Sequence, residues 1–313
     1  MASLKTLKGK MAGIKKTAKV TKAMESISAI KMRSAQKKAI ASREYSFRVF
    51  SIVKRVSKLF LHDNVDLFFK QKLDNLHPTV ILLISPDKGL TGGMNNFLFK
   101  KVDEVIKDQE FTKENLSFVC VGKKGYEYVS KKGFEVIKYF DLIAEKSTTE
   151  EIKEVSEYMQ SLYAENKCAR IKVIYTTFIN TSEQTPKVRR ILPINYKDTK
   201  KFIKEILPDK GKFSDIEHNI DIDHSDVGSY LFEPDIKDAV KTLTEYVMHI
   251  GVYHSILEAF ASEHSARMLA MKNSTDKADE LSENIRKKVN KERQAQITKE
   301  ISEIVSGIES MKK

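Results

Sequence analysis

The stretch IKDAVKTLTEYVMHIGVYHSILEAFASEHSARMLAMKNSTDKADELSENIRKKVN, residues 236–290, decides the fold. Apolar or small residues recur in it at alternating steps of four and three: Ile236, Val240, Leu243, Val247, Ile250, His254, Leu257, Ala261, His264, Met268, Met271, Thr275, Ala278, Ser282, Ile285 and Val289. That spacing is the seam of a coiled-coil helix. The pattern slips by one residue around Arg293 and resumes as Ile297, Ile301, Ile304 and Ile308. Such a stutter locally unwinds a supercoil. Gly251 is the only Gly or Pro between Asp235 and Ser306, so the helix predicted here reaches on the order of 110 Å. Several seam positions are small or polar (His254, Ala261, His264, Thr275, Ala278, Ser282), which makes a poor dimeric zipper. They suit close packing against a second helix, or a position inside a sleeve of other subunits.

The N-terminal segment supplies the second helix. Leu7, Met11, Ile14 and Ala18 repeat the same spacing, and Val20, Ala23, Met24, Ile27 and Ile30 are read as continuing the apolar stripe. Helical character extends through Phe47, Phe50, Val53 and Val56 to about Phe60, a length of roughly 80 Å. Between these helices strands alternate with helices. The predicted strands are Thr79–Ser85, Leu116–Val121, Phe134–Phe140 and Arg170–Ile179. The predicted helices are Asn95–Lys107, Tyr126–Lys131 and Thr149–Asn166. The alternation points to a small Rossmann-like α/β domain with parallel pairing. The expected organisation is an N-terminal shaft helix (1–62), an α/β domain (75–200), a charged connector (201–233) and a C-terminal shaft helix (234–311) that pairs with 1–62. The fold class is thus α/β plus a long antiparallel two-helix coiled coil.

The net charge of +12 is concentrated in one element. Residues 1–43 hold ten Lys, Arg33 and Arg43 against the single acid Glu25, a balance of +11. The rest of the chain is nearly neutral. Such an arm is open to four readings: it binds nucleic acid, an anionic membrane or an acidic protein, or it is a merely solvated charged face. Aromatic residues are absent before Tyr45, which disfavours single-strand stacking. The narrow apolar face lacks Trp and Phe, which disfavours membrane insertion. An acidic protein partner fits best. A nucleic-acid-binding coiled-coil protein is the alternative.

No motif points to catalysis, a cofactor or a metal. Pro86–Gly93 (PDKGLTGG) follows a strand and precedes a helix, but has neither a Gly-Lys-Ser/Thr triplet nor G-x-G-x-x-G spacing. It reads as a tight structural turn. Asp221, Asp223 and Ser225 fail as a calcium loop, because Asp226 and Phe232 stand where Gly and a bidentate acid are required. Cys120 and Cys168, the only cysteines, sit in apolar strand-like surroundings and read as buried thiols. No run of about 18 apolar residues suggests a membrane span.

The two ends resemble the gamma subunit family of F-type ATP synthases. The matching residues are Thr21-Lys22-Ala23-Met24-Glu25, Lys31-Met32-Arg33 and Gln36 in the first helix. Asp87-Lys88-Gly89-Leu90 and Gly92-Gly93-Met94-Asn95 match the Gly-rich turn, and Leu231-Phe232-Glu233-Pro234 matches the approach to the last helix. Further matches are Ala261–Met268, Ala270–Asn273 with Thr275-Asp276, and Asn290–Ala295 with Ile297-Thr298, Glu300-Ile301 and Glu303–Val305. Residues 100–225 match in pattern only.

The resemblance implies a non-catalytic central rotor stalk that carries rotation between the membrane c-ring and the catalytic ring of alpha and beta subunits. The epsilon subunit and the c-ring are further implied partners, with no nucleic acid and only indirect membrane association. By this analogy Lys22, Met24, Lys31, Arg33, Arg293, Gln294, Thr298 and Glu300 contact beta-subunit loops, and Glu233 lies at the c-ring. Thr91 stands where the family often has Cys, and the connector is long. The absence of a clear transit peptide favours the cytoplasmic face of a bacterial inner membrane over a mitochondrial setting.

Overall fold

A computed structural model describes residues 4–56, 78–141, 148–193, 233 and 236–311. Its elements are α1 (Leu4–Val56), β1 (Thr79–Ile84), α2 (Met94–Asp108), β2 (Leu116–Val121), α3 (Lys123–Lys131), β3 (Glu135–Phe140), α4 (Thr149–Ala164), β4 (Arg170–Phe178), β5 (Gln184–Leu192) and α5 (Ile236–Met311). The chain forms two compact units. One contains residues 1–29 and 267–313, and the other residues 30–266.

The second unit is built on a five-stranded sheet in the order β3-β2-β1-β4-β5. The first four strands are parallel, and β5 runs antiparallel to β4. Every residue of β1 and β2 is buried. Strands covered on both faces need continuous apolar runs, and TVILLI and LSFVCV supply them. One face packs Ile81, Leu83, Phe118 and Ile174 against Leu98, Val102 and Val105 of α2 and Val129 of α3. The other packs Leu82, Val119, Val173 and Tyr175 against Val155 and Met159 of α4 and Met248, Val252, Ile256 and Phe260 of α5. Each such side chain contributes about 1.5–3 kcal/mol when fully buried.

The strand β5, QTPKVRRIL, was not expected from the sequence. Its three basic residues and Pro186 hide it, and both are tolerated because it is an edge strand. The sheet is therefore mixed rather than all parallel. The helix α3 begins at Lys123, three residues before the predicted start, and its first amides are capped from a distant loop. The helix α4 carries a local signal: Thr148 accepts from Glu151 N at 3.2 Å, and Glu151 accepts from Thr148 N at 2.8 Å. This is a reciprocal capping box.

Within the second unit α5 is buried nearly all round from Val247 to Ala266. A helix in that environment needs partners for its polar groups. Ser262 Oγ donates to Thr176 O (3.0 Å) and Ser265 Oγ to Thr181 O (2.9 Å). Thr177 Oγ1 donates to Glu258 (2.6 Å), whose other oxygen lies 3.3 Å from His254 Nδ1. The residue opposite Thr176 in the ladder is Pro186, which has no N–H to offer that carbonyl.

In the first unit α1 and α5 bury one stripe each. On α1 it runs through Leu4, Leu7, Met11, Ile14, Ala18, Thr21 and Ser28. On α5 it runs through Met268, Met271, Thr275, Ala278, Ser282, Ile285, Val289 and Glu292. The predicted continuation of the α1 stripe is corrected here except at Met24, which is half-buried. Val20, Ile27 and Ile30 are 54%, 50% and 68% exposed. The 3.5-residue period puts Thr21 and Ser28 on the seam and turns these aliphatic residues off it. The side-chain expectations for Phe47, Phe50, Val53, Ile236 and Val240 lie outside the described residues, as do the helix end at Phe60 and the connector with Asp221, Asp223 and Ser225.

Candidate functional site

The seam of the first unit closes on a hydrogen bond between two buried hydroxyls, Thr21 Oγ1 and Thr275 Oγ1, 2.7 Å apart. Thr21 also reaches Ala18 O (3.1 Å), and Thr275 reaches Met271 O (2.9 Å). Each hydroxyl has one proton. One threonine therefore donates across the seam while the other donates to its own helix, and both oxygens are satisfied. Counting outward in opposite directions sets Ala18 opposite Ala278, Ile14 opposite Ser282, Met11 opposite Ile285, Leu7 opposite Val289 and Leu4 opposite Glu292. All of these are buried or half-buried, and burial on α5 stops at Glu292. That end point requires an antiparallel pair.

Beside the seam lies a groove of about 590 Å³ lined by Lys15, Ala18, Lys19, Lys22, Ala23 and Ser26 of α1 and Thr275, Asp276 and Asp279 of α5. Lys22 is paired with Glu25 on its own helix at 3.1 Å. An exposed pair of this kind contributes little to stability and leaves the ammonium available at the surface.

Beyond Glu292 every described side chain of α5 is exposed. Ile297, Ile301, Ile304, Val305 and Ile308 are 49%, 56%, 62%, 50% and 51% exposed. The apolar stripe predicted after the stutter exists in the sequence, but no other part of the described chain covers it. Thr298 Oγ1 donates to Gln294 O at 3.0 Å, back along its own helix.

Beside the Gly-rich turn after β1, the N-terminus of α3 is closed to anions. The first amides of α3 would form an anion site if left open. Instead Lys123 N donates to Asp87 Oδ1 (2.9 Å), Lys124 N to Pro86 O (3.1 Å) and Gly125 N to Ser85 Oγ (2.7 Å). Burial raises the Asp87 carboxyl above its ordinary value, against the lowering effect of the Lys123 amide, and Asp141 adds a further upward push. The close approach depends on Gly122: its φ is +89°, and a Cβ there would sit 1.8 Å from Ser85 O. Burial likewise pushes the Cys120 thiol up to about 12, which keeps it protonated and unreactive. Lys172 is pushed down to about 8 by burial, with Arg170 and Arg190 adding repulsion. Its ammonium meets Gln109 Oε1 and the face of Phe111.

The structure divides the residues singled out from the sequence. Lys22 and Met24 lie on α1 beside the seam, exposed and half-buried respectively. Lys31 and Arg33 belong to the second unit, half-buried and exposed. Arg293, Gln294, Thr298 and Glu300 are exposed on α5, on the order of 30 Å along the helix from the stretch opposite Lys22. Glu233 is exposed. Within the first unit Lys22 and Met24 do not cluster with Arg293, Gln294, Thr298 and Glu300. The cross-seam bond itself was not anticipated, although Thr21 and Thr275 were both in view. Hydroxyls at facing seam positions are its only sequence signal. Among the described residues no group of His, Cys, Asp or Glu could hold a metal ion, and no helix is long and apolar enough to cross a membrane.

Comparison with known proteins covers the whole chain. A family model described as ATP synthase matches residues 3–311. The ATP synthase gamma chain of Psychrobacter arcticus is 33% identical over 308 residues, covering 98% of both chains. That of Verminephrobacter eiseniae is 32% identical over 307 residues, with the same coverage. Among solved structures, a chain of the Euglena gracilis mitochondrial ATP synthase OSCP/F1/c-ring assembly aligns with a TM-score of 0.62 at 16% identity. It covers 98% of this chain and 94% of that one. A chain of the Tetrahymena thermophila central stalk/c-ring aligns at 0.56 and 19%, covering 81% and 98%. At these identities the solved structures support the fold.

Proposed function

The chain belongs to the ATP synthase gamma-chain family, and we propose on that premise that it is the central rotor stalk of an F-type ATP synthase. In this reading the end segments 1–62 and 234–311 form the shaft, 75–200 is the α/β domain at its foot and 201–233 the connector. The shaft transmits rotation between the c-ring and the catalytic ring of alpha and beta subunits. The chain itself is non-catalytic. The observation that carries the reading is the family match over residues 3–311, joined to paired end helices with a bare tip.

The residues singled out have the chemistry the role needs. Lys22, Met24, Lys31 and Arg33 present cations and one thioether to acidic beta-subunit loops. Arg293, Gln294, Thr298 and Glu300 present hydrogen-bonding groups beyond Glu292, the last half-buried position of the seam. Glu233 is assigned to the c-ring contact, with the epsilon subunit alongside. The membrane association is peripheral and indirect, on the cytoplasmic face of a bacterial inner membrane. Nucleic-acid binding by the basic arm, the alternative reading, is not favoured by a full-length match to gamma chains.

The test is co-expression with alpha and beta subunits. The expected result is a co-purifying complex in which a disulfide from Gln294→Cys to a beta-subunit cysteine stops ATP hydrolysis until it is reduced. Full hydrolysis with the shaft covalently fixed overturns the torque role.

A further inference from the structure

We propose that the Thr21–Thr275 hydroxyl pair is the register pin of the two-helix shaft, a positioning device that holds α1 and α5 in one axial and rotational phase. The argument starts from the seam around it. Ala18, Ser28, Ala278 and Ser282 are buried seam residues of the same unit. Small side chains allow close approach but interlock shallowly, so neighbouring registers differ little in packing energy. A single buried polar pair in such a seam discriminates strongly. In any other register each hydroxyl loses its cross-helix partner, and a polar seam position is known to specify register at a cost in stability. The bond at 2.7 Å is short and well formed, and each threonine also reaches a carbonyl of its own helix. Whichever threonine does not donate across the seam donates to the carbonyl of its own helix.

This inference rests on the rotor reading for its consequence. A shaft transmits torque faithfully only if its two helices turn as one body. The pin supplies that in the stretch where large apolar side chains do not.

The test uses the full chain with spin labels at Lys8→Cys and Lys287→Cys, both exposed positions on facing stretches of the pair. The native Cys120 and Cys168 are fully buried and stay unlabelled. The parent chain gives one narrow distance distribution. The isosteric double variant Thr21→Val with Thr275→Val keeps its helicity and an equal or higher melting temperature, yet its distribution broadens by roughly twofold, as loss of a register-specifying polar pair requires. Thr21→Ser with Thr275→Ser restores the narrow distribution. A distribution that stays narrow in the valine variant overturns the proposal. So does broadening accompanied by a lower melting temperature, which marks lost packing. In the assembled complex the valine variant keeps ATP hydrolysis and pumps fewer protons per ATP. Failure of the chain to assemble with alpha and beta subunits removes the rotor reading, while the distance distribution still decides the pin.

Discussion

Residues 247–266 and residues 293–311 lie on the same uninterrupted helix, and they live in opposite environments. The first stretch is enclosed on nearly every side, and Ser262, Ser265 and Glu258 bond there to Thr176, Thr181 and Thr177. The second presents five aliphatic side chains that no other described residue covers. Similar heptad-type spacing therefore serves two ends. In one place it builds the chain's own core, and in the other it leaves an apolar surface that no other described residue covers. Contiguous exposed apolar patches of this kind mark interaction sites.

The sharpest way to break the contrast is truncation inside the enclosed stretch. Ile256 is fully buried. Ile256→Ala is expected to destabilise the chain by about 3–4 kcal/mol, through lost transfer energy plus an unrelaxed cavity. Urea unfolding of the purified chain measures it. A cost below about 1 kcal/mol would mean the enclosure is not tightly packed.

Next in size is a polar truncation in the same stretch. Ser262→Ala leaves the Thr176 carbonyl without its hydroxyl donor. The expected cost is about 1–2 kcal/mol, measured by the same unfolding.

Acidification separates the two stretches further. The His249 ring lies 3.0 Å from Ser156 Oγ. Burial lowers its pKa from the ordinary 6.5, Lys153 adds to the lowering, and Glu157 opposes it. The unfolded chain therefore takes up the proton first. Stability is full above pH 6.5 and declines as pH falls through the depressed folded value. His249→Gln should flatten that slope in melting temperatures recorded from pH 7.5 to 5. An unchanged slope would assign the acid sensitivity to other groups.

The smallest effect belongs to the bare tip. Ile301→Ala should change the stability of the isolated chain by no more than about 0.5 kcal/mol. The same substitution in the assembled complex should weaken retention of the subunit, read by subunit loss on gel filtration. Equal silence in both settings would deny the tip a partner.

Much of the fold was legible because its signals are local. The runs TVILLI and LSFVCV and the α5 heptads each depend on residues within a few positions of one another. What stayed hidden depends on distant partners. The edge strand β5 has charge and a proline that only its place beside β4 explains. The start of α3 depends on Ser85, Pro86 and Asp87, about 40 residues away. The α1 stripe was misread after Ala18 because hydrophobicity alone favoured Val20, Ile27 and Ile30, whereas the supercoil period favoured Thr21 and Ser28.

By itself, then, the amino-acid sequence determined two long end helices, an α/β insertion, a basic arm and the absence of a nucleotide motif. Periodicity, composition and charge are properties of the chain before it folds. Only the tertiary structure decided which seam residues meet, that Thr21 and Thr275 share a buried bond, that α3's amides are capped, and that the seam ends at Glu292. Those facts depend on which groups approach within a few ångströms, and the closed packing of remote segments sets that distance.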